Sequence, residues 1–197
     1  MRPSRALLMC LLLAVAMLPG KGSADSTHIP TGPLNNWSYG WKPSPFGSFT
    51  PLSNRTTYYG LPAWNLPGGS IYPIVAFNNT GKKVVGTNFG IPPNQLLLHP
   101  SNDGKMATVR WVAQSGDRYM IQGLFNGLQT CGSTRVHVVL NSTTTLFTGS
   151  TSGAAITTFT VEHPLASGDV LDFVVDDGGN GYTCDPVGLA VMITNLF

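Results

Sequence analysis

The sequence predicts an all-β chain: an antiparallel β-sandwich, jelly-roll-like, with a loop-rich N-terminal segment. Three observations point there. Leu171, Phe173 and Val175 share one face of the run 170–175, and Leu189, Val191 and Ile193 share one face of 189–193, the two-residue period of half-buried strands. Turn signals recur at short spacing, at Asn79-Thr80-Gly81, Asn102-Asp103-Gly104, Ser115-Gly116-Asp117, Gly149 to Gly153 and Ser167-Gly168-Asp169. No helical period is sustained anywhere in 25–197. Short strands separated by regular turns mean a sandwich or barrel, and eight or nine of them favour a jelly roll.

Taken in order, Arg2 and Arg5 precede an apolar run from Ala6 to Leu18, followed by Pro19-Gly20 and the small residues Gly22-Ser23-Ala24. This is the pattern of a secretory signal, so residues 1–24 are read as a signal peptide and 25–197 as a single β-sandwich domain. No later stretch reaches the ~20 apolar residues of a transmembrane helix, and no transmembrane anchor is expected. Segment 25–73 is dense in Pro, Gly and aromatic residues and reads as extended chain and turns with two short strands. Strands are then expected at 72–77, 96–99, 107–113, 119–125, 135–140, 144–148, 156–161, 170–175 and 189–194. No internal repeat and no linker divides them.

Removing the signal changes the charge balance. The chain has 11 Lys and Arg against 9 Asp and Glu; Arg2, Arg5 and Lys21 leave with the signal, so 8 face 9. No basic patch remains for nucleic acid or an anionic membrane. A secreted, periplasmic or extracellular location follows from the signal. Of three cysteines Cys10 is discarded, leaving Cys131 and Cys184 as an even pair in an oxidising compartment. A bridge between them closes a loop of about 50 residues, worth on the order of 4 kcal/mol in the chain-entropy model. Two free thiols or a metal pair are the alternatives, and neither has supporting ligands nearby.

Catalytic signals are weak. Glycoside hydrolysis needs two carboxyl groups flanking a bond. Residues 25–197 hold one glutamate, Glu162, and eight aspartates mostly beside glycine, where Asp103, Asp117 and Asp169 have ready roles as turn acceptors. The histidines at 28, 99, 137 and 163 are scattered, with no Gly-x-Ser-x-Gly elbow. No catalytic residues are assigned, and no enzyme is expected. No zinc spacing occurs either. Asp176, Asp177, Asn180 and Asp185 place oxygen ligands in a turning Gly-rich loop, which leaves two readings: a calcium cradle, or glycines permitting positive φ with Asp and Asn capping the turn. The spacing matches no EF-hand, and no cofactor beyond such a calcium ion is implied.

Binding candidates are aromatic. A pyranose packs its C–H face on an indole or phenol while its hydroxyls find polar neighbours. Trp37, Tyr39, Trp41, Tyr58, Tyr59 and Trp64 lie in the loop-rich portion and are the candidate ligand-binding residues; the competing reading has them covering the sandwich edge. Trp111 alternates with Val109 and is read as core.

The series Trp37-Ser38-Tyr39-Gly40, Phe49-Thr50, Trp64, Leu96-Leu97-Leu98-His99-Pro100, Val109-Arg110-Trp111, Gly168 to Val175 and Gly179-Asn180-Gly181 resembles exported bacterial β-sandwich modules. These occur in secreted proteins that often carry a PEP-CTERM sorting tail and are of an uncharacterised or carbohydrate-binding-like kind. The resemblance spans residues 37 to 194 and implies the fold, export and a glycan or exopolysaccharide partner. It lacks the sorting tail, since Asn195-Leu196-Phe197 carries no Pro-Glu-Pro motif, so membrane sorting by that route is not implied. The expectation is a secreted, disulfide-bridged, non-catalytic module binding carbohydrate. A self-associating envelope or matrix protein is the alternative, and a hydrolase with an unrecognised site the third.

Overall fold

The structure, a computed structural model, describes residues 36–196. The expected signal peptide, 1–24, lies outside them. All regular structure among the described residues is β. Trp37, Tyr39 and Trp41 alternate with Ser38, Gly40 and Lys42, and this period of two forms β1 (Trp37–Lys42). β2 (Thr50–Pro51) pairs with it. Tyr59 and Gly60, at φ 50° and 78°, make the two-residue turn between β3 (Asn54–Tyr58) and β4 (Leu61–Asn65), the twist that suits a tight hairpin. β5 (Ile74–Phe77) follows, then a short ribbon of β6 (Val84–Val85) and β7 (Gly90–Ile91). The expectation of turns with two short strands over 25–73 is corrected: among the described residues the segment holds four, because its Pro and Gly residues mask a real alternation.

The remaining strands are β8 (Leu96–His99), β9 (Met106–Val112), β10 (Asp117–Gly127), β11 (Ser133–Leu140), β12 (Thr144–Ser152), β13 (Ile156–Leu165), β14 (Val170–Val175) and β15 (Val187–Asn195). They form one long hairpin rolled on itself. Leu98 pairs with Val187, Val112 with Val170, Asp117 with Leu165, and Leu140 with Thr144. Nested pairs of this kind, shared between two sheets, are the jelly roll. One sheet runs β12-β11-β14-β9-β1-β2 and the other β13-β10-β15-β8-β5-β4-β3, every pairing antiparallel. The early strands extend both sheets on the same side.

Two apolar clusters result. Between the sheets Val109, Trp111, Ile121, Phe125, Val138, Leu171, Phe173 and Leu189 are buried, and Trp111 is core as its alternation required. Each such side chain contributes ~1.5–3 kcal/mol of transfer free energy. On the outer surface of the seven-stranded sheet, Leu61, Ile74, Leu97, Phe89 and Ile91 form a second cluster under the chain that carries β6 and β7.

The outer face of the six-stranded sheet is closed by charge. Asp172, on the opposite face of β14 from Leu171 and Phe173, is wholly buried. Its cross-strand partner Arg110 donates from Nε at 2.7 Å and from Nη2 at 2.9 Å, and Lys42, equally buried, donates from Nζ at 2.7 Å. Lys42 also donates to the Pro45 carbonyl at 2.7 Å and to Ser142 Oγ at 2.9 Å, so all three ammonium hydrogens have acceptors. Phe49 returns over this network with its ring 4.2 Å from the Arg110 guanidinium, in the space that a Cβ at Gly40 would occupy. Buried charge is tolerated only when paired and fully hydrogen-bonded. Asp172→Ala, which strands Lys42 without its counter-charge, should therefore cost about 3–5 kcal/mol in urea denaturation, and Lys42→Met in the same chain should recover part of it. A loss within about 0.5 kcal/mol, the range of an ordinary surface substitution, would show that the network is not what closes this face.

Candidate functional site

The six aromatic candidates do not share one exposed face. Tyr39 and Trp64 are buried and meet edge-on across the two sheets, ring centroids 4.8 Å apart. Trp37 is half-buried against Trp111 and Phe173 in the core, and Trp41 half-buried with the Lys105 ammonium 5.3 Å from its ring. Tyr39 and Trp64 are thereby corrected as platform residues, because the alternation of β1 and of β4 buries them in the core, while Trp37 and Trp41 keep part of their surface in solvent. Tyr58 and Tyr59 do come together, edge-on at 4.8 Å, but only Tyr59 is well exposed, at 46%.

That pair belongs to a larger cluster. Tyr58 and Tyr72 share a hydrogen bond between their hydroxyls at 3.0 Å, and Phe89 packs on both Tyr58 and Tyr59. Burial, with the Tyr72 hydrogen bond added, pushes the Tyr58 phenol well above its ordinary range. Tyr72 stacks on His99 at 4.1 Å, and Tyr182 meets both rings edge-on at 5.9 and 6.0 Å. His99 is buried and donates from Nδ1 to the Pro100 carbonyl at 2.8 Å. Burial lowers its pKa to about 4, so the imidazole beneath Tyr72 is neutral at pH 7. Tyr72 and Tyr182 stay half-buried, with part of their surface in solvent.

A small cleft follows in the chain, lined by none of these three rings. Pro100 and Ser101, which follow His99, line it with Gly104, Lys105, Met106, Asp176 and Asp177; its volume is about 50 Å³. The site therefore lies at the end of the sandwich where β8 and β14 finish and β5 and β9 begin. Neither Tyr72, His99 nor Tyr182 was picked out as a site residue from sequence. Tyr182 stood in plain view, two residues before Cys184 in the Gly-rich loop.

The loop after β14 delivers Tyr182. Gly178, at φ 66°, passes so close to the Ser133 carbonyl that no Cβ would fit. The expected disulfide is formed: Cys131 and Cys184, with Cα atoms 5.6 Å apart, tie this loop to the one before β11. Asp176 Oδ1 accepts from the Gly178 and Arg135 amides, and its carboxylate pairs with Arg135 at 3.2 Å and His137 at 3.4 Å. Burial pushes Asp176 up, but His137, the Gly178 amide and Arg135 outweigh it and hold the carboxyl below the ordinary range. Asp177 accepts from the Gly179 amide at 3.0 Å, and Asn180 meets Ser133 Oγ at 3.1 Å. Asp185 is 1% exposed, and its carboxylate oxygens make no hydrogen bond of good geometry, only a weaker contact with the Ser133 backbone. Burial, then Asp177 and Asp176, raise it to about 7, while the Ser133 backbone pulls the other way. Asp176, Asp177 and Asn180 thus each have partners in the loop or its neighbour, while Asp185 has none of good geometry, and among the described residues no group of three or more His, Cys, Asp or Glu is arranged to hold a metal ion. No helix of the described residues is long and apolar enough to cross a membrane.

No family model matches the chain, and no curated protein does. Among solved structures it is similar to the CBM51 of a Clostridium perfringens GH95, solved with methyl-galactose, at 16% identity over 73% of this chain and 94% of that one, TM-score 0.43. It is similar also to the CBM51-2 and INT domains of Clostridium perfringens ZmpB, at 12% identity over 72% of this chain and 31% of that one, TM-score 0.44. An exo-beta-1,3-galactanase of Phanerochaete chrysosporium matches at 14% identity over 57% of this chain and 25% of that one, TM-score 0.35. Likeness this distant assigns no function.

Two opposed titrations follow from the site. Between about 4 and 6.5 the unfolded chain binds a proton at His99 that the folded chain does not, so His99 lowers stability as pH falls through that window. Asp185 acts in reverse: from its ordinary value of 3.8 up to about 7 the folded chain holds the extra proton, and stability falls as pH rises. Thermal melts of Asp185→Asn should lose stability on acidification from pH 6.5 to 4 more steeply than the parent chain, and those of His99→Gln should gain relative to it. Identical slopes in all three proteins would refute the assignment. Reducing the disulfide should lower the melting temperature, since the loop it closes spans 53 residues of sequence and contributes about 4 kcal/mol.

Proposed function

We propose that this protein is a non-catalytic carbohydrate-binding module that works outside the cytoplasm. The observation that carries the reading is the grouping of Tyr72 and Tyr182 over a neutral, buried His99 at one rim of the sandwich. Phenol rings present an apolar face to a sugar's C–H groups and a hydroxyl to its oxygens. Rings already packed on each other lose little freedom on binding, which preserves affinity in a small interface. The Cys131–Cys184 bridge supports an oxidising compartment.

The disposition of carboxyl groups supports binding over hydrolysis. A glycosidase needs one carboxyl held protonated and a second ionised, both in contact with substrate. Asp185, the one carboxyl here raised to about 7, is sealed from solvent. Asp172 and Asp176 are bound in ion pairs, and Glu162 pairs with Arg118 on the surface.

Glycan-array binding followed by calorimetry on the best ligand tests the proposal. Tyr182→Ala and Tyr72→Ala should each weaken binding by ~1–3 kcal/mol, the range of a hot-spot aromatic. Tyr182→Ala should leave the melting temperature close to that of the parent, because its ring is half-buried and lies outside both apolar clusters. An intact chain that binds no glycan on the array would sink the reading.

A further inference from the structure

The Tyr72–Tyr182 pair is one end of a longer aromatic series. Tyr72 also touches Tyr58, with centroids 6.3 Å apart and the two hydroxyls hydrogen-bonded, and Tyr58 touches Tyr59 at 4.8 Å. The order Tyr59, Tyr58, Tyr72, Tyr182 is linear: each ring meets the next, and among the described residues no ring contact joins Tyr59 to Tyr72 or to Tyr182. Tyr58 is buried, while Tyr59, Tyr72 and Tyr182 all reach solvent, so three accessible phenols stand on one continuous aromatic footing.

Tyr59 is held there against its backbone preference. It takes the first turn position of the β3–β4 hairpin at φ 50°, in the left-handed region where a bulky side chain is an outlier and asparagine or glycine is the usual occupant. Its edge-on contacts with Tyr58 and Phe89 leave it well exposed, so packing returns little for the strain. Strain kept at an accessible ring points to a contact made outside the chain. The neighbouring chain is apolar and exposed as well, at Ile71, which precedes Tyr72, and at Val85, whose cross-strand partner Gly90 follows Phe89. Exposed apolar surface gathered around one cluster marks an interaction site.

Resting on the carbohydrate reading above, we propose that the protein binds an extended run of a saccharide chain, with successive sugars along Tyr182, Tyr72 and Tyr59, rather than a single terminal sugar. One sugar on Tyr72 and Tyr182 would leave the strained Tyr59 without a use. A chain of sugars repeats its C–H faces and its hydroxyls together, which is what a series of phenols offers. Each accessible ring carries a hydroxyl that a wholly apolar partner would bury unpaired and a sugar hydroxyl can satisfy.

The test is calorimetric titration of the protein with the disaccharide and the hexasaccharide of the gluco, xylo and galacto series and of the strongest glycan on the array. In a series that binds, the hexasaccharide should bind at least about tenfold more tightly than its disaccharide, as one further aromatic contact requires. Tyr59→Asn suits the left-handed turn and removes the ring. It should weaken the hexasaccharide about fivefold while leaving the disaccharide within about twofold, and Tyr59→Phe, which keeps the ring, should hold the hexasaccharide within about twofold of the parent. A ring that served only packing would instead lower the melting temperature on Tyr59→Asn and leave the hexasaccharide affinity where it was. That result, or equal binding of disaccharide and hexasaccharide by the unaltered protein, overturns the extended-chain assignment and leaves the carbohydrate reading standing. Failure to bind any of these oligomers or any array glycan overturns both.

Discussion

Asp172 sits where three strands and two connections meet, and its carboxylate cannot leave without breaking all of them. Arg110 grips it across the β14–β9 ladder, and Lys42 reaches it from β1 while holding the Pro45 carbonyl and the Ser142 hydroxyl. A buried charge contributes little net stability, but its geometry is unforgiving, since any register slip would leave an ion unpaired in a dry environment. That network keeps the six-stranded sheet in register with the chain that enters from residue 36, and the Pro43–Phe49 loop is drawn down as a cover. Part of the outer face of the seven-stranded sheet is covered in turn by the chain that carries β6 and β7.

The end that holds the tyrosines is built from connections, each pinned by a different force. Tyr72 is held by ring contact and by the Tyr58 hydroxyl, His99 by a backbone carbonyl, and Tyr182 by a loop that a disulfide ties to its neighbour. The same loop contains Asp185, buried with no hydrogen bond of good geometry to its oxygens. A carboxyl placed so is held neutral more readily than charged, which makes the loop that carries Tyr182 sensitive to pH. Stability and the placement of Tyr182 are thus joined in one short segment, 176–186.

Much of the sandwich was legible because a strand with one face in the core must alternate. Leu96–His99 and Val170–Val175 were placed to the residue, and the other expected strands were found with ends shifted by a few positions, as ladder pairing extends into residues with no apolar signal of their own. The N-terminal segment misled for an identifiable reason. Pro and Gly at 40, 43, 45, 47, 51, 60 and 62 read as breaks, yet Gly40 is a strand position kept bare for Phe49, and Pro62 sits within β4. Placing Tyr39 and Trp64 in a loop led to the expectation that they were free for ligand, when the core had claimed them.

Composition and periodicity determined the class and the cysteine pair, because each depends on residues close together or on a count. Alternation over a few residues states which side chains face inward, and an even number of cysteines in an oxidising compartment states that they pair. Only the tertiary structure decided which aromatics remain near solvent and which carboxylates remain unpaired. Tyr72, His99 and Tyr182 are far apart in the chain, as are Asp172, Arg110 and Lys42, and nothing local in any of them encodes the meeting. Those juxtapositions arise when a long hairpin is rolled into two sheets, which brings the ends of distant strands to one rim and fixes which charges find a partner there.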